Sequence, residues 1–191
     1  MKSVRKIVLI GPESTGKTTL CEQLANHYAS PFVPEYAREY LTTNGAAYSL
    51  NDLDLIAREQ LLLEDVATEK LMQEKSSDAL LFLDTDLYVI KVWSEVVFNQ
   101  CSQQILRQIA NRRYDLYLLC APDIEWVQDG LREYPNAKER EKHYHHYRDA
   151  LIQQRVPWIE ISGNFQQRIE KAICVIDQWL GNDKSIKLGK D

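Results

Sequence analysis

Apolar residues arrive along this chain in two alternating rhythms. Short, nearly unbroken runs read as buried strands: Val4 to Ile10, broken only by Arg5 and Lys6, then Phe32 to Pro34, Ala79 to Asp84, Asp115 to Ala121 and Val156 to Ser162. Between them apolar residues recur at helical spacing. Leu20, Cys21, Leu24, Ala25 and Tyr28 form one such stripe, which Ser30-Pro31 stops. Asn51 is placed to cap a long helix whose Leu53, Ile56, Ala57 and Leu61 share a face. Val89, Val92, Trp93, Val96 and Val97 make a third stripe, and Ile169, Ile173, Ile176 and Leu180 a last one. Strands without internal polar alternation, each followed by a helix, predict an α/β domain: a parallel sheet covered on both faces.

Length and composition narrow this picture. A chain of 191 residues suits one domain that buries roughly 70% of its unfolded surface. No repeat or long linker divides it, so a single domain is expected over residues 1–181, followed by a polar, flexible tail at 182–191. The N-terminus lacks the small-residue cleavage pattern of a signal peptide, and no apolar run is long enough to span a bilayer, so no membrane association is expected. The four cysteines, Cys21, Cys101, Cys120 and Cys174, match no metal-ligand spacing and predict reduced, buried thiols in a cytoplasmic protein. A net charge of -5 argues against nucleic acid as a partner, so anionic ligands must be held by local groups.

The first strand runs into "GPESTGKT", which fits G-x-x-x-x-G-K-[ST] with Gly11, Gly16, Lys17 and Thr18. Glycines permit the close backbone approach, and the amides from Glu13 through Ser14, Thr15 and Gly16 form a nest for phosphate oxygens. Lys17 supplies a mobile charge to the β- and γ-phosphates of ATP, and Thr18, followed by Thr19, opens a helix whose positive end points at the same place. The Thr18 hydroxyl is a candidate Mg²⁺ ligand.

Other candidates fall at the same sheet edge. "FLDTD" ends a strand at Asp84, a candidate for metal or proton handling, with Asp86 two residues on as substrate ligand or helix cap. "VPEYAREY" places Glu35, Tyr36, Arg38 and Glu39 after the second strand, where substrate handling is expected of Glu35, Tyr36 and Arg38. The polar segment "WVQDGLREYPNAKEREKHYHHYR" suits a lid over about 124–143, whose Arg132 and Arg140 reach transferring phosphate. Its histidines, His143, His145 and His146, read as a solvated face rather than a metal site.

Together "GPESTGKTTL", "EYAREY", "FLDTD", "YDLYLL", "EWVQDGLR" and "VPWIEI" resemble, in order and spacing, the ribosylnicotinamide kinase domain of the NadR family of P-loop kinases. The resemblance covers nearly the whole chain, and "EWVQDGLR" is its most discriminating part. It implies a P-loop NTPase fold of nucleoside-kinase type, with five parallel strands and a lid after the fourth. It implies transfer of the ATP γ-phosphoryl group to the 5′-hydroxyl of nicotinamide riboside. Glu35, Arg38 and Asp84 would then lie by ribose and metal, Arg132 and Arg140 by the phosphates, and "SGNF" (Ser162 to Phe165) near adenine.

Two departures stand out. Pro34 occupies a position where the family carries an aromatic that stacks on the pyridinium ring; Tyr36, Tyr40, Tyr88 or Trp93 are alternative platforms. The family's multifunctional members also carry an upstream adenylyltransferase domain, and because this chain begins at the kinase strand, adenylyl transfer is not expected. Either Glu35 or Asp84 can serve as the base. The alternatives are a kinase for another nucleoside, which would differ only around Pro34 and the long helix bearing Gln60, and an ATP-dependent regulatory switch; oligomeric state is not legible.

Overall fold

Every strand runs parallel to its neighbours in a computed structural model of the chain, which describes residues 3–74 and 78–181. The elements in chain order are β1 (Ser3–Ile10), α1 (Lys17–His27), β2 (Phe32–Val33), α2 (Tyr36–Asn44), α3 (Leu50–Gln73) and β3 (Asp78–Leu83). They continue with α4 (Leu87–Phe98), α5 (Gln103–Asn111), β4 (Leu116–Cys120), α6 (Ala137–Gln153), β5 (Trp158–Ile161) and α7 (Phe165–Gly181). The sheet order is β2-β3-β1-β4-β5, which puts β1 in the middle. The five-stranded parallel architecture is the one the sequence predicts; the expected tail at 182–191 lies outside the described residues.

Strand periodicity sorts the core into two layers. Ile7 and Leu9, Leu80 and Phe82, and Leu118 and Cys120 turn to one face, where Leu20, Cys21 and Leu24 of α1 and Ala172 and Ile176 of α7 cover them. Val8 and Ile10, Leu81 and Leu83, and Tyr117 and Leu119 turn to the other, beneath Leu71, Val92, Tyr147 and Leu151. A third cluster joins α2, α3, α4 and α5 through Ala37, Ile56, Leu87 and Ile105.

Three local expectations change. The long helix α3 is capped by Ser49, not Asn51. Asp52 accepts from both the Ser49 amide and hydroxyl at 2.7 Å, and the resulting capping box starts the helix at Leu50, leaving Asn51 within the first turn. The apolar pattern does not announce α5, which has a single buried residue, Ile105, and a Ser102 cap. Of the cysteines, Cys21 and Cys120 are buried, but Cys101 is half-buried and Cys174 exposed; all four are free.

Gln60 of α3 fixes the turn that follows β2. Its side-chain oxygen accepts from the Tyr36 amide at 2.8 Å, and its nitrogen donates to the Pro34 carbonyl at 3.2 Å. Buried at 2% exposure, it holds Glu35 at the sheet edge and is itself withdrawn from any ligand. Glu64, one turn along, is buried against Lys6 and Tyr114 and ties α3 to the sheet.

Leu118 lies on β4, between β1 and β5, with no exposed surface. Leu118→Ala is expected to lower unfolding free energy by about 3 kcal/mol, read as a reduced urea midpoint at unchanged slope.

Candidate active site

The segments that follow β1 and β2 open onto one cleft, whose floor is the phosphate loop from Gly11 to Thr19, with Asp84 at the end of β3 buried close to Lys17 and Thr18. The loop can pass there because position 11 has no side chain. An added Cβ would lie 2.5 Å from the Cys120 carbonyl oxygen, on a backbone with φ +145°. Gly16, in the left-handed region at φ 73°, is the N-cap of α1 and offers no side-chain cap. The first turn of α1 also holds no acidic residue, so its free amides and positive dipole end face the cleft uncompensated. Lys17 Nζ donates to the Pro12 carbonyl at 2.8 Å, and the Thr15 hydroxyl donates to the same oxygen at 2.8 Å. Thr18 and Thr19 are exposed on the cleft wall.

The two aspartates after β3 separate in role. Asp84 is 1% exposed, and its Oδ1 has no hydrogen-bond partner. Burial, then the nearby Glu35 charge, push its pKa from 3.8 to about 7, against the pull of Lys17 and Thr18. An orphaned buried carboxylate oxygen close to a threonine hydroxyl is the donor set a hard divalent cation takes, so Asp84 and Thr18 fit Mg²⁺. Asp86, expected at the substrate, is instead structural. It caps α4 by accepting from the Tyr88 amide at 2.9 Å and accepts from the buried Tyr117 hydroxyl at 2.7 Å. Between them Thr85 is buried with φ 144°, a strained backbone for a β-branched residue beside the site.

The segment between β4 and α6 crosses the loop and is tied to it by Glu13 and Ser14. Glu13 accepts from the Trp126 indole at 3.1 Å, the Glu133 amide at 2.9 Å and the Tyr134 amide at 2.5 Å. Ser14 Oγ accepts from the Val127 amide at 2.9 Å and from Arg132 at 3.3 Å. The two loop side chains thus hold the crossing segment. Asp129 bridges it to α2, meeting Arg38 at 2.7 Å and Arg132 at 3.2 Å. Arg132 lines the cleft. Arg140 does not: it is 5% exposed, reaches the Ile124 carbonyl at 3.4 Å, and its Nε is buried without a partner. It lies under the crossing segment, on the Ile124 carbonyl, while His143 and Tyr147 of the same helix reach the cleft.

Opposite the loop the wall is apolar. Ala37 and Leu41 of α2, Val89, Val92, Trp93 and Val96 of α4, and Leu131 line it, with Glu35 and Arg38 at the edge. Val89, Val92, Trp93 and Val96 of the α4 stripe reach the cleft, Val92 also packing on the sheet, while Leu87, Ile90 and Ser94 take the core side. Trp93 is fixed by donating its indole N–H to the Tyr48 hydroxyl at 2.8 Å, with the rings edge-on at 4.7 Å. Of the four aromatics that could stand in for Pro34, Trp93 is the one lining the cleft. Tyr36 packs into the α2–α3–α4 cluster and is absent from the wall, since its amide is held by Gln60.

Sequence reasoning also placed His143 on a solvated face, yet it is 8% exposed, edge-on to Tyr134 at 4.4 Å, and lines the cleft. Burial first, then the His146 charge, lower its pKa, so its ring favours the neutral form. Tyr147, one helical turn on, lines the same wall and was not foreseen. Among the described residues no group of three or more His, Cys, Asp and Glu is placed to bind a metal. No described helix is long and apolar enough to cross a membrane.

Comparison with known proteins shows the family and the fold. The model of the AAA domain family matches residues 6–168, and the chain belongs to that family. It is similar to the trifunctional NAD biosynthesis/regulator protein NadR of Escherichia coli K12, 23% identical over 95% of this chain and 44% of the relative. The Salmonella typhimurium LT2 protein of the same name is 24% identical over 93% of the chain and 43% of its own length. The chain thus spans less than half the length of these relatives. Among solved structures, NadR in complex with NAD and AMP-PNP superposes with a TM-score of 0.67 at 21% identity, covering 98% of this chain and 52% of that one. NadR in complex with NR gives 0.65 at 22% identity, over 98% of this chain and 52% of that one. Thymidylate kinase from Ehrlichia chaffeensis gives 0.62 at 14% identity, over 93% and 99%. The fold is that of a P-loop NTPase of nucleoside-kinase type, as the sequence motifs predict.

A carboxylate whose pKa is raised from 3.8 to about 7 binds more protons folded than unfolded across that window. Its contribution to stability is complete below pH 4 and is lost as pH climbs through 7. Asp84→Asn is accordingly expected to flatten the fall in stability of the ligand-free protein between about pH 5 and 8, leaving it more stable than the parent at the upper end. Urea unfolding at the two pH values checks this; parallel losses in both proteins would contradict it.

Proposed function

We propose that the cleft carries out ATP-dependent phosphorylation of a nucleoside, with the 5′-hydroxyl of nicotinamide riboside as the leading acceptor. One observation carries the reading: an uncompensated phosphate cradle at the N-terminus of α1 shares a single cleft with an apolar wall bearing Trp93 and the carboxylate Glu35. A phosphate tail fits the first half and a flat ring with its sugar the second. The resemblance to NadR proteins, solved with NR and with AMP-PNP, supports the same division.

The cradle holds ATP by its β- and γ-phosphates, through the amides from Ser14 to Lys17 and the Lys17 ammonium. Thr18 and Asp84 would hold Mg²⁺, which when bound neutralises charge on the transferring group. Glu35 stands at the acceptor side of the loop, where it orients the hydroxyl and accepts its proton as the new P–O bond forms and the bond from the γ-phosphorus to the bridging oxygen breaks, ADP leaving with that electron pair; Asp84 is the alternative base. Because such transfers pass through a loose transition state, positioning matters more than base strength. Arg132, reaching from the crossing segment onto Ser14, lies where it can stabilise charge on the leaving phosphate. The segment over about 124–143 acts as a lid: with Glu13 and Ser14 gripping it, it excludes water from the transfer. A cationic pyridinium over the Trp93 face, with Glu35 near, would gain about 1–2 kcal/mol, replacing the aromatic absent at Pro34.

ADP release with ATP and Mg²⁺ across a panel of nucleosides tests the proposal: turnover is expected to depend on an acceptor, nicotinamide riboside best. Lys17→Ala is expected to reduce it by about 100-fold or more. Slow hydrolysis indifferent to every acceptor would instead mark a regulatory switch. Trp93→Ala is expected to raise the acceptor KM by about 10-fold while leaving the KM for ATP near the parent value.

A further inference from the structure

Arg168 is a cation on the wrong end of a helix. It sits in the first turn of α7, where the helix dipole disfavours positive charge, and it is 1% exposed. Its partners account for the placement. Nε donates to the Gly163 carbonyl at 2.7 Å, and Nη1 to the carbonyls of Thr15 and Ile161, both at 3.2 Å. Nη2 donates to the Ala121 carbonyl at 2.9 Å and pairs with the Asp123 carboxylate. Asp123 also accepts from the Gly163 amide at 2.6 Å, closing the ring of contacts. These partners use all five guanidinium N–H groups, so none is left for a ligand. The side chain links the segments that follow β1, β4 and β5.

Resting on the proposal that the loop binds nucleotide phosphate, we infer that Arg168 is a positioning residue that aims the Gly16 amide at the phosphate by holding the Thr15 carbonyl behind the loop. The peptide joining Thr15 to Gly16 is planar and trans, so its C=O and N–H point in opposite directions. Anchoring the oxygen on the buried side turns the N–H toward the cleft. The α7 turn that carries Arg168 also lies against the loop: a Cβ on Gly16 would meet Phe165 at 3.1 Å. With φ at 73°, Gly16 has wide conformational freedom, and an unanchored peptide plane could flip its N–H out of the nest. The charge of Arg168 reaches the loop through a carbonyl, and the donor it sets in place needs no reorganisation when an anion arrives.

The test compares ADP with adenosine, which share the base and ribose and differ in the groups the loop would hold. Binding of each, in the presence of Mg²⁺, is measured on the parent protein, Arg168→Met, Arg168→Lys and Lys17→Ala, with folding verified by circular dichroism. Arg168→Met is expected to weaken ADP by about 10-fold or more, the loss typical of a charge-assisted hydrogen bond, while adenosine affinity holds. Arg168→Lys, which keeps the charge but not the fork, is expected to fall between. A merely structural role would weaken both ligands together, and that result overturns the inference. So does parent-like ADP binding in a folded Arg168→Met or Arg168→Lys; the lysine variant decides the matter if the methionine one does not fold. ADP binding lost in Lys17→Ala but intact in both Arg168 variants refutes the positioning role alone. A parent protein that does not prefer ADP to adenosine removes the phosphate reading and this inference with it.

Discussion

A methyl group at position 11 would stand 2.5 Å from the Cys120 carbonyl, and the rest of the site depends on that missing atom. The backbone leaving β1 passes directly against the end of β4, close enough that the loop curls back over the sheet edge. Parallel pairing supplies the remainder. Because β1 is flanked by β3 and β4 and all strands point the same way, Gly11, Asp84 and Ala121 emerge side by side. A ligand in the crevice at that edge meets the segment after β1 with Asp84 buried close by, the general position of sites in open α/β sheets.

Around this edge, charge is distributed unevenly. Cationic groups are satisfied by protein oxygens: Lys17 by Pro12, Arg38 and Arg132 by Asp129, Arg168 by a ring of carbonyls and Asp123. The groups left unmet are the first amides of α1, which have no side-chain cap, the Asp84 Oδ1 and, beneath the crossing segment, the Arg140 Nε. An unmet positive helix end and an unmet carboxylate buried close to it fit a complex of anion and cation together. Folding leaves both groups at a cost that a metal-bound polyphosphate would offset.

Features tied to local backbone geometry were readable from the sequence. The phosphate loop was, because G-x-x-x-x-G-K-[ST] after an apolar strand encodes the turn, the charge and the helix start in consecutive residues. Asp84 was, because it ends a strand. Features set by tertiary placement were not. The Val89, Val92, Trp93 and Val96 stripe has the same periodicity whether it packs on a core or walls a cleft, and only the docking of α4 decides. His143 is buried on a helix that reads as solvated, since Tyr134, from the crossing segment, covers it. Asp86 and Asp84 are indistinguishable in "FLDTD" until Tyr117, from a different strand, claims one of them. Arg168 carries no local signal at all; its partners Thr15, Ala121 and Asp123 are distant in the chain.

The loop, the orphaned aspartate and the apolar wall converge on one claim: polyphosphate is held at the start of α1, with the acceptor against α4. A crystal structure with a non-hydrolysable ATP analogue and Mg²⁺ tests it most directly. The expected result is Lys17 Nζ transferred from the Pro12 carbonyl to a phosphate oxygen, amides from Ser14 to Lys17 on the β-phosphate, and Asp84 reaching the metal directly or through water. Nucleotide bound elsewhere, with Lys17 still on Pro12 and Asp84 still without a partner, would contradict it.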